Sequence, residues 1–380
     1  MNEELPVRVR GAGLGAELGA RPPGRIAVLR ALPGLGDMLC LVPALRALRA
    51  AMPGAEVTLI GLPSARSFQR RYSHYLDELL EFPGFPGIPE VPFNPEALPR
   101  FFSMTQGRFD LALQMHGSGT HSNAFTALLG ARVTSGYYLP SLWCPDPEWF
   151  IPYDAHAHEV HLWLALLEFL GIPAQGDELE FPVQAQDGEE LFGVWERAPE
   201  ASYVCLHPGA TEPQRRWPAE RFSAVGDELA AQGFTVVLTG TTAERELTGS
   251  VAALMKAPAV DLAGGTTLSA LAALLAGAQL LICNDTGVSH LAAAVRIPSV
   301  VVFAASDPAR WGPLDRELHR VVGETMPTRV NSCRHTPDVR GHRCLRDGCS
   351  SLDLPSNDGW QPASVAEVLF QAHDLLQLSR

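Results

Sequence analysis

The sequence predicts a two-domain α/β protein, each domain an open parallel sheet wrapped by helices. Three observations predict it. Short apolar runs alternate with helical patterns along most of the chain, as expected where both sheet faces are covered. A stretch at 171–200, with Pro173, Gly176, Pro182, Gly188 and Pro199, divides two such series. The length of 380 residues suits two domains at roughly 100–200 residues each.

The elements follow in order. Arg25–Arg30 reads as the first strand, and Pro33-Gly34-Leu35-Gly36 turns into a helix carrying Leu41, Leu45 and Leu48. A strand at Glu56–Ile60 closes on Gly61. Dense prolines and glycines make 82–99 a loop. Phe109–Met115 is the next strand, then a helix near 120–129, a short strand near Val133 and a helix at 156–170. The second series has strands at 203–207, 234–239, 259–262, 279–283 and 299–303. Its helices fall at 219–232, 243–256, 268–277 and 287–296. The expected domains are a flexible extension over 1–24, a first domain over 25–185 and a second over 186–380. The last helix is a candidate to pack back on the first domain. The whole reads as two Rossmann-like halves facing across a cleft. Ligands of such sheets bind beyond the carboxyl ends of the strands, so those loops are where chemistry is expected.

Composition narrows the function. Acidic residues number 42 against 29 basic ones, a net charge of -13, which argues against a dedicated nucleic-acid binder. Lys256 is the only lysine, so any role usually given to lysine falls to arginine. Residues 1–24 carry no apolar core of a secretory signal. Gly11, Gly13 and Gly15 resemble a nucleotide turn but lack a proper strand before them. The uncharged run 262–284 is broken by Gly264, Gly265 and Gly277 and parses as turn, helix and strand rather than a membrane span. Cys40, Cys205 and Cys283 sit in apolar patterns as small hydrophobes, which fits a reduced, cytoplasmic chain.

Four loops carry the polar candidates. Asp37 opens a helix after the first strand, either as a helix cap or as a carboxylate able to take a proton. Arg215 and Arg216 precede Trp217-Pro218 and a helix start, a pairing that suits a phosphate as well as plain solvation. Glu244 follows Gly240-Thr241-Thr242, where it favours its own helix or accepts from a ribose or sugar hydroxyl. The densest cluster is Asn284-Asp285-Thr286-Gly287-Val288-Ser289-His290, where N–H groups at a helix start would face an anion.

Together these loops resemble glycosyltransferase family 9, the heptosyltransferases of lipopolysaccharide core assembly. The resemblance rests on Leu35-Gly36-Asp37 with Pro43-Ala44-Leu45, on Arg215-Arg216-Trp217-Pro218, and on Asp285-Thr286-Gly287-Val288-Ser289-His290-Leu291-Ala292-Ala293. Asp261-Leu262-Ala263-Gly264 and Asp307-Pro308 match in order, and the likeness runs over about 25–375. It implies a GT-B fold and an inverting, metal-independent sugar transfer from a nucleotide sugar, with ADP-heptose the usual donor. It implies Asp37 as general base and Arg215 on the donor phosphates. Glu244 would lie near the ribose or sugar, Thr286, Gly287 and His290 at the diphosphate, and Asp285 near the donor sugar. Gly36, Gln114 and His116 are the candidate acceptor contacts. Gly34 stands where the family often has serine, and Arg215 where it has lysine.

The partners implied are a nucleotide sugar and a glycan or glycolipid acceptor. Nucleic acid is not expected, and no cofactor is required. A lipid-linked acceptor would bring the protein to the inner face of the cell membrane, where Arg66, Arg70 and Arg71 form a basic run, a solvated helix face being the alternative. Cys333, Cys344 and Cys349 share a stretch with His335 and His342, but their spacing is irregular and lacks CxxC. No metal is expected, with these cysteines as the alternative ligands. Two rival readings stay open: a nucleotide-sugar epimerase of the same fold, and a non-catalytic nucleotide-sugar-binding protein.

Overall fold

A computed structural model describes residues 22–196, 202–323 and 363–378. The chain divides into two compact units. Among the described residues, the first comprises 22–33 and Leu41–Asp177, and the second comprises Gly34–Cys40 and the described residues from Glu178 onward.

The first unit holds β1 (Arg25–Leu29), β2 (Glu56–Gly61), β3 (Glu78–Glu81), β4 (Leu111–Gln114), β5 (Val133–Tyr138) and β6 (Phe150–Pro152). They form one sheet in the order β3-β2-β1-β4-β5-β6, every pair parallel. The second holds β7 (Tyr203–His207), β8 (Thr235–Leu238), β9 (Ala259–Asp261), β10 (Leu280–Asn284), β11 (Ser299–Val302) and β12 (His319–Val322). Their order is β12-β11-β10-β7-β8-β9, again all parallel. The predicted α/β class with a parallel sheet in each half is what the structure has.

Three strands were not foreseen, and all lie toward or at sheet edges. β3 reads Glu-Leu-Leu-Glu, β6 is three residues ending in Pro152, and β12 begins His-Arg. Charge, shortness and a terminal proline blunt an exposed edge, and they also erase the apolar run by which a strand is recognised. The loop expected over 82–99 ends early, because a helix starts at Ala97 and runs to Thr105. The single helix expected after Gly36 is two: Leu35–Leu39 and Val42–Ala51. Pro43 causes the break. It has no N–H for the turn before it and suits only the first turn of a new helix.

Each sheet has its own core. In the first unit Phe125 is ringed by Phe82, Phe85, Phe101 and Phe102, with centroids 4.9–5.7 Å away. In the second, Trp217 and Phe222 pack with Leu280, Ile282, Val300 and Val302, and the helix Val365–Leu378 covers them with Val368, Ala372 and Leu375. Among the described residues no helix is long and apolar enough to cross a membrane. The run 262–284 resolves into a turn, the helix Leu268–Gly277 and β10.

One buried charge organises the head of the first sheet. Arg30, just past β1, is 0% exposed. Its Nη1 donates to Met115 O at 3.0 Å and its Nη2 to Glu159 Oε1 at 3.0 Å. The guanidinium also lies 4.7 Å from the ring centre of Trp163. It thereby joins β1, the end of β4 and the helix Glu159–Phe169. Glu159→Leu should lower the unfolding free energy by about 3–5 kcal/mol, because it strands a buried cation. Adding Arg30→Met should recover part of that loss. A double-mutant cycle by chemical denaturation checks this, and additive losses would refute the coupling.

Candidate functional site

Strand order locates the binding edges. In the second unit the chain runs outward through β7, β8 and β9, then returns to the other side of β7 with β10. The loops after β7 and β10 therefore diverge, which opens a crevice at their carboxyl ends. In the first unit β1 and β4 make the equivalent point.

Asn284, the last residue of β10, staples the two loops of the second unit. Its Oδ1 accepts from Trp217 N–H at 2.9 Å, and its Nδ2 donates to Pro208 O at 2.8 Å. Asp285 comes next and is 3% exposed, while Arg215 is 39% exposed with its Nη1 3.6 Å from the Asp285 carboxylate. Ser306 donates to the same carboxylate oxygen. Arg216 is used differently, its Nε donating to Ala210 O at 2.9 Å within its own loop. The two arginines thus divide the work, and Arg215 is the one beside Asp285.

Thr286 precedes the helix Gly287–Val295 in an extended conformation and makes no side-chain cap bond. Its carbonyl accepts from Ser289 N–H at 3.0 Å and from Ser289 Oγ at 2.7 Å. This arrangement shapes the helix start while leaving capping by an anion open.

Glu244 is 8% exposed. One carboxylate oxygen accepts from Thr241 N–H at 2.8 Å and Thr241 Oγ1 at 2.9 Å, which is a capping box. The other lies against Gly209, where a Cβ would sit 2.2 Å from Oε1. Glu244 therefore caps its own turn and also lines the β7 loop. His207, at the end of β7, is 3.0 Å from Thr239 Oγ1. Burial pushes its pKa down to about 4, against the opposing pull of Glu244.

The helix Leu35–Leu39 belongs to this second unit. Gly287 meets Leu35, and a Cβ at Gly36 would lie 2.6 Å from Cδ2 and 3.0 Å from Nε2 of His290. Asp37 is half-buried in the first turn of that helix. Its carboxylate folds back over Gly34, where a Cβ would be 2.2 Å from Oδ2. A serine at 34 would displace that carboxylate, which gives a physical reason for glycine here.

Gln114 and His116 belong to the first unit. The Gln114 amide donates to His116 O and Ser122 Oγ at 2.6 Å each, and its Oε1 accepts from Tyr137 N–H at 3.3 Å. His116 Nδ1 accepts from Ala31 N–H at 3.2 Å, and its Nε2 is 3.8 Å from Glu90. Both residues shape the loop after β4. The structure thus gathers Asp37, Gly36, Gly287 and His290 along one helix contact, and Arg215 with Asp285 beside it. Cys333, Cys344 and Cys349 lie outside the described residues, as do residues 1–21. Among the described residues no group of three or more His, Cys, Asp or Glu is arranged to hold a metal.

Sequence reasoning placed Asn284 in the polar cluster without giving it a role of its own, and did not name Ser306. The signal for Asn284 was available: an amide that ends an otherwise apolar strand has to be spent on something.

Glycosyltransferase family 9 (heptosyltransferase) matches residues 101–337. The chain belongs to this family. The matched segment includes Arg215, Glu244 and the run 285–290, but not the loop of Asp37. Lipopolysaccharide heptosyltransferase 3 of Escherichia coli is 37% identical over 34% of this chain and 39% of its own length. Lipopolysaccharide heptosyltransferase 2 of E. coli K12 is 28% identical over 42% of this chain, and the chain spans about half of it, 49%. Among solved structures, the family 9 glycosyltransferase of Veillonella parvula superposes with a TM-score of 0.70 at 21% identity, over 93% of this chain and 98% of that one. The E. coli ADP-heptose lps heptosyltransferase II gives a TM-score of 0.67 at 19% identity, over 93% and 99%. An iron-containing dodecameric glycosyltransferase of enterotoxigenic E. coli gives 0.54 at 14%, over 93% and 79%. These structural likenesses support the two-domain GT-B fold.

Two measurements test the geometry of this family 9 site. Asn284→Ala should cost about 1–3 kcal/mol of stability, since it leaves buried groups of the β7 loop unsatisfied. Chemical denaturation reads it, and a loss under about 0.5 kcal/mol would remove the staple role. The second is acid stability. His207 and His319 are both pushed down to about 4 by burial, while an unfolded histidine titrates near 6.5. The unfolded chain binds more protons between those values. The contribution is therefore whole above about pH 6.5 and is lost as pH falls through about 4. Unfolding midpoints across that window should drop, and His319→Gln should flatten the drop.

Proposed function

We propose that the protein is an inverting glycosyltransferase that moves heptose from ADP-heptose to a hydroxyl of a lipopolysaccharide-core or related glycan acceptor. One observation carries the reading. In a chain of family 9, the helix bearing Asp37 lies directly on the helix that follows β10 and bears Gly287 and His290.

The chemistry follows from the residue types. The acceptor oxygen attacks C1 of the sugar as the bond from C1 to the diphosphate oxygen breaks, through an oxocarbenium-like state. The hydroxyl proton passes to Asp37, and the bonding pair leaves with ADP. Charge growing on the diphosphate is met by Arg215, by the first N–H groups of the helix Gly287–Val295 and by His290. Glu244 is suited to accept from ribose hydroxyls and Asp285 from those of the sugar. Arg215 stays charged throughout, so it stabilises without giving up a proton. These groups carry the transfer step, and we propose that it needs no metal ion. A lipid-linked acceptor would bring the protein to the inner membrane face. On the helix Arg66–Arg71, Arg66 makes an exposed ion pair with Glu81 at 2.6 Å.

Turnover with ADP-heptose against UDP- and GDP-sugars is the test. ADP-heptose should be preferred, and a uridine or guanosine donor preferred instead would overturn the assignment. Asp37→Ala should slow transfer by about 10²–10⁴-fold, with ADP affinity by calorimetry retained. Unchanged turnover would remove Asp37 as the base. Activity surviving exhaustive chelation is expected, and its loss with recovery on added iron or zinc would refute metal independence.

A further inference from the structure

Asp285 is the buried carboxylate just past β10, and two side chains share its Oδ2. They hold it differently. Arg215 is 39% exposed and 3.6 Å away, beyond hydrogen-bond reach, so its pull is charge without direction. Ser306 donates its hydroxyl proton to the same oxygen, a charge-assisted bond that does have direction. A carboxylate turns readily about its last single bond, so one directional donor decides which way its two oxygens face. The other oxygen, Oδ1, takes no hydrogen bond from the described residues, and it is not closed off from solvent.

The chain around Ser306 is built to hold that hydroxyl. Asp285 N–H donates to Val302 O at 3.0 Å, which ties the end of β10 to the end of β11. Ser306 lies in the loop that leaves β11. Asp307 follows it, and its carboxylate accepts from Ala309 N–H at 2.9 Å, capping the turn Pro308–Trp311. Pro308 pre-sets the first backbone angle of that turn. The Asp307-Pro308 pair, which the sequence marks without explaining, thus anchors the residue beside Ser306.

We infer that Ser306 is a positioning residue: its hydroxyl holds Oδ2 of Asp285 so that Oδ1 is presented to a hydroxyl of the donor sugar. This rests on the donor site proposed above, in which Asp285 meets the sugar and Arg215 the diphosphate. When Arg215 turns to the diphosphate, Ser306 is the side chain that keeps the carboxylate in place. A hydroxyl suits the task, because it gives one proton and adds no charge to compete for the phosphates.

Calorimetry of ADP against ADP-heptose, without acceptor, tests it, because the sugar is the only difference between the two ligands. Ser306→Ala should leave ADP affinity within about twofold and weaken ADP-heptose by about tenfold. Ser306→Thr, which keeps the hydroxyl, should stay near wild type. Ser306→Val has the shape of threonine without the hydroxyl, and set against Ser306→Thr it carries the test if the alanine variant does not fold. Combining Ser306→Ala with Asp285→Asn should weaken ADP-heptose no further than Asp285→Asn alone, since Ser306 acts through that carboxylate. Equal weakening of both ligands would mark a structural loop residue and overturn the proposal. An unchanged ADP-heptose affinity, or additive losses in the double variant, would overturn it too. The two readings fail separately. Wild-type protein that binds neither ligand overturns the donor site and this role together. Wild-type protein that binds ADP-heptose, with a Ser306→Ala variant that binds it equally well, overturns the role of Ser306 alone.

Discussion

The position of Asp37 depends on one close approach, the bare Cα of Gly36 against the ring of His290. A helix of five residues cannot stand alone, because nucleation costs more than so few hydrogen bonds return. The helix Leu35–Leu39 exists because Leu35 and Gly36 lie on Gly287 and His290. Its carboxylate is therefore placed by tertiary packing, not by local preference. Pro43 reinforces this by ending the helix and starting a new one. An alanine at 36 would put its Cβ inside the ring contact, so the glycine is a steric requirement.

Electrostatics works locally against the global charge. On the proposed function, a chain with a net charge of -13 as a whole repels its nucleoside diphosphate. Attraction has to come from a few groups at short range, where screening matters least. Arg215 is exposed enough to reorient, yet it is anchored near the buried Asp285 carboxylate. Ser306, donating to that carboxylate, fixes the other partner. The scarcity of lysine has a consequence at this point. An arginine is charged at every working pH, so pH dependence near neutrality falls to the histidines and carboxylates.

The sequence made the second sheet legible because β7, β10 and β11 are buried runs of apolar residues. It made the cluster 285–290 legible because polar residues between an apolar strand and an apolar helix have few structural uses. It hid β3, β6 and β12, whose edge positions demand charge or proline and so remove the pattern. It also hid roles that depend on distant partners. Nothing local marks Cys40 as facing a histidine 250 positions away, or Asn284 as holding a loop that follows β7. Gln114 and Glu244 show a related ambiguity. Each is polar beside a strand end, and each spends hydrogen bonds on its own loop or turn.

Covalent order and packing order therefore differ at one decisive place. Gly34–Cys40 leaves β1, groups with the second unit, and the chain returns to the first unit at Leu41. On the proposed mechanism, the proton acceptor and the groups that meet the diphosphate then share one compact body. The contacts of Gly36, Gly287 and Cys40 help to set their mutual distances. The loop after β4 sits in the other body, where Gln114 and the Arg30–Glu159 pair shape it. On that mechanism, changes that loosen the first body therefore leave the contact between the Asp37 helix and His290 in place.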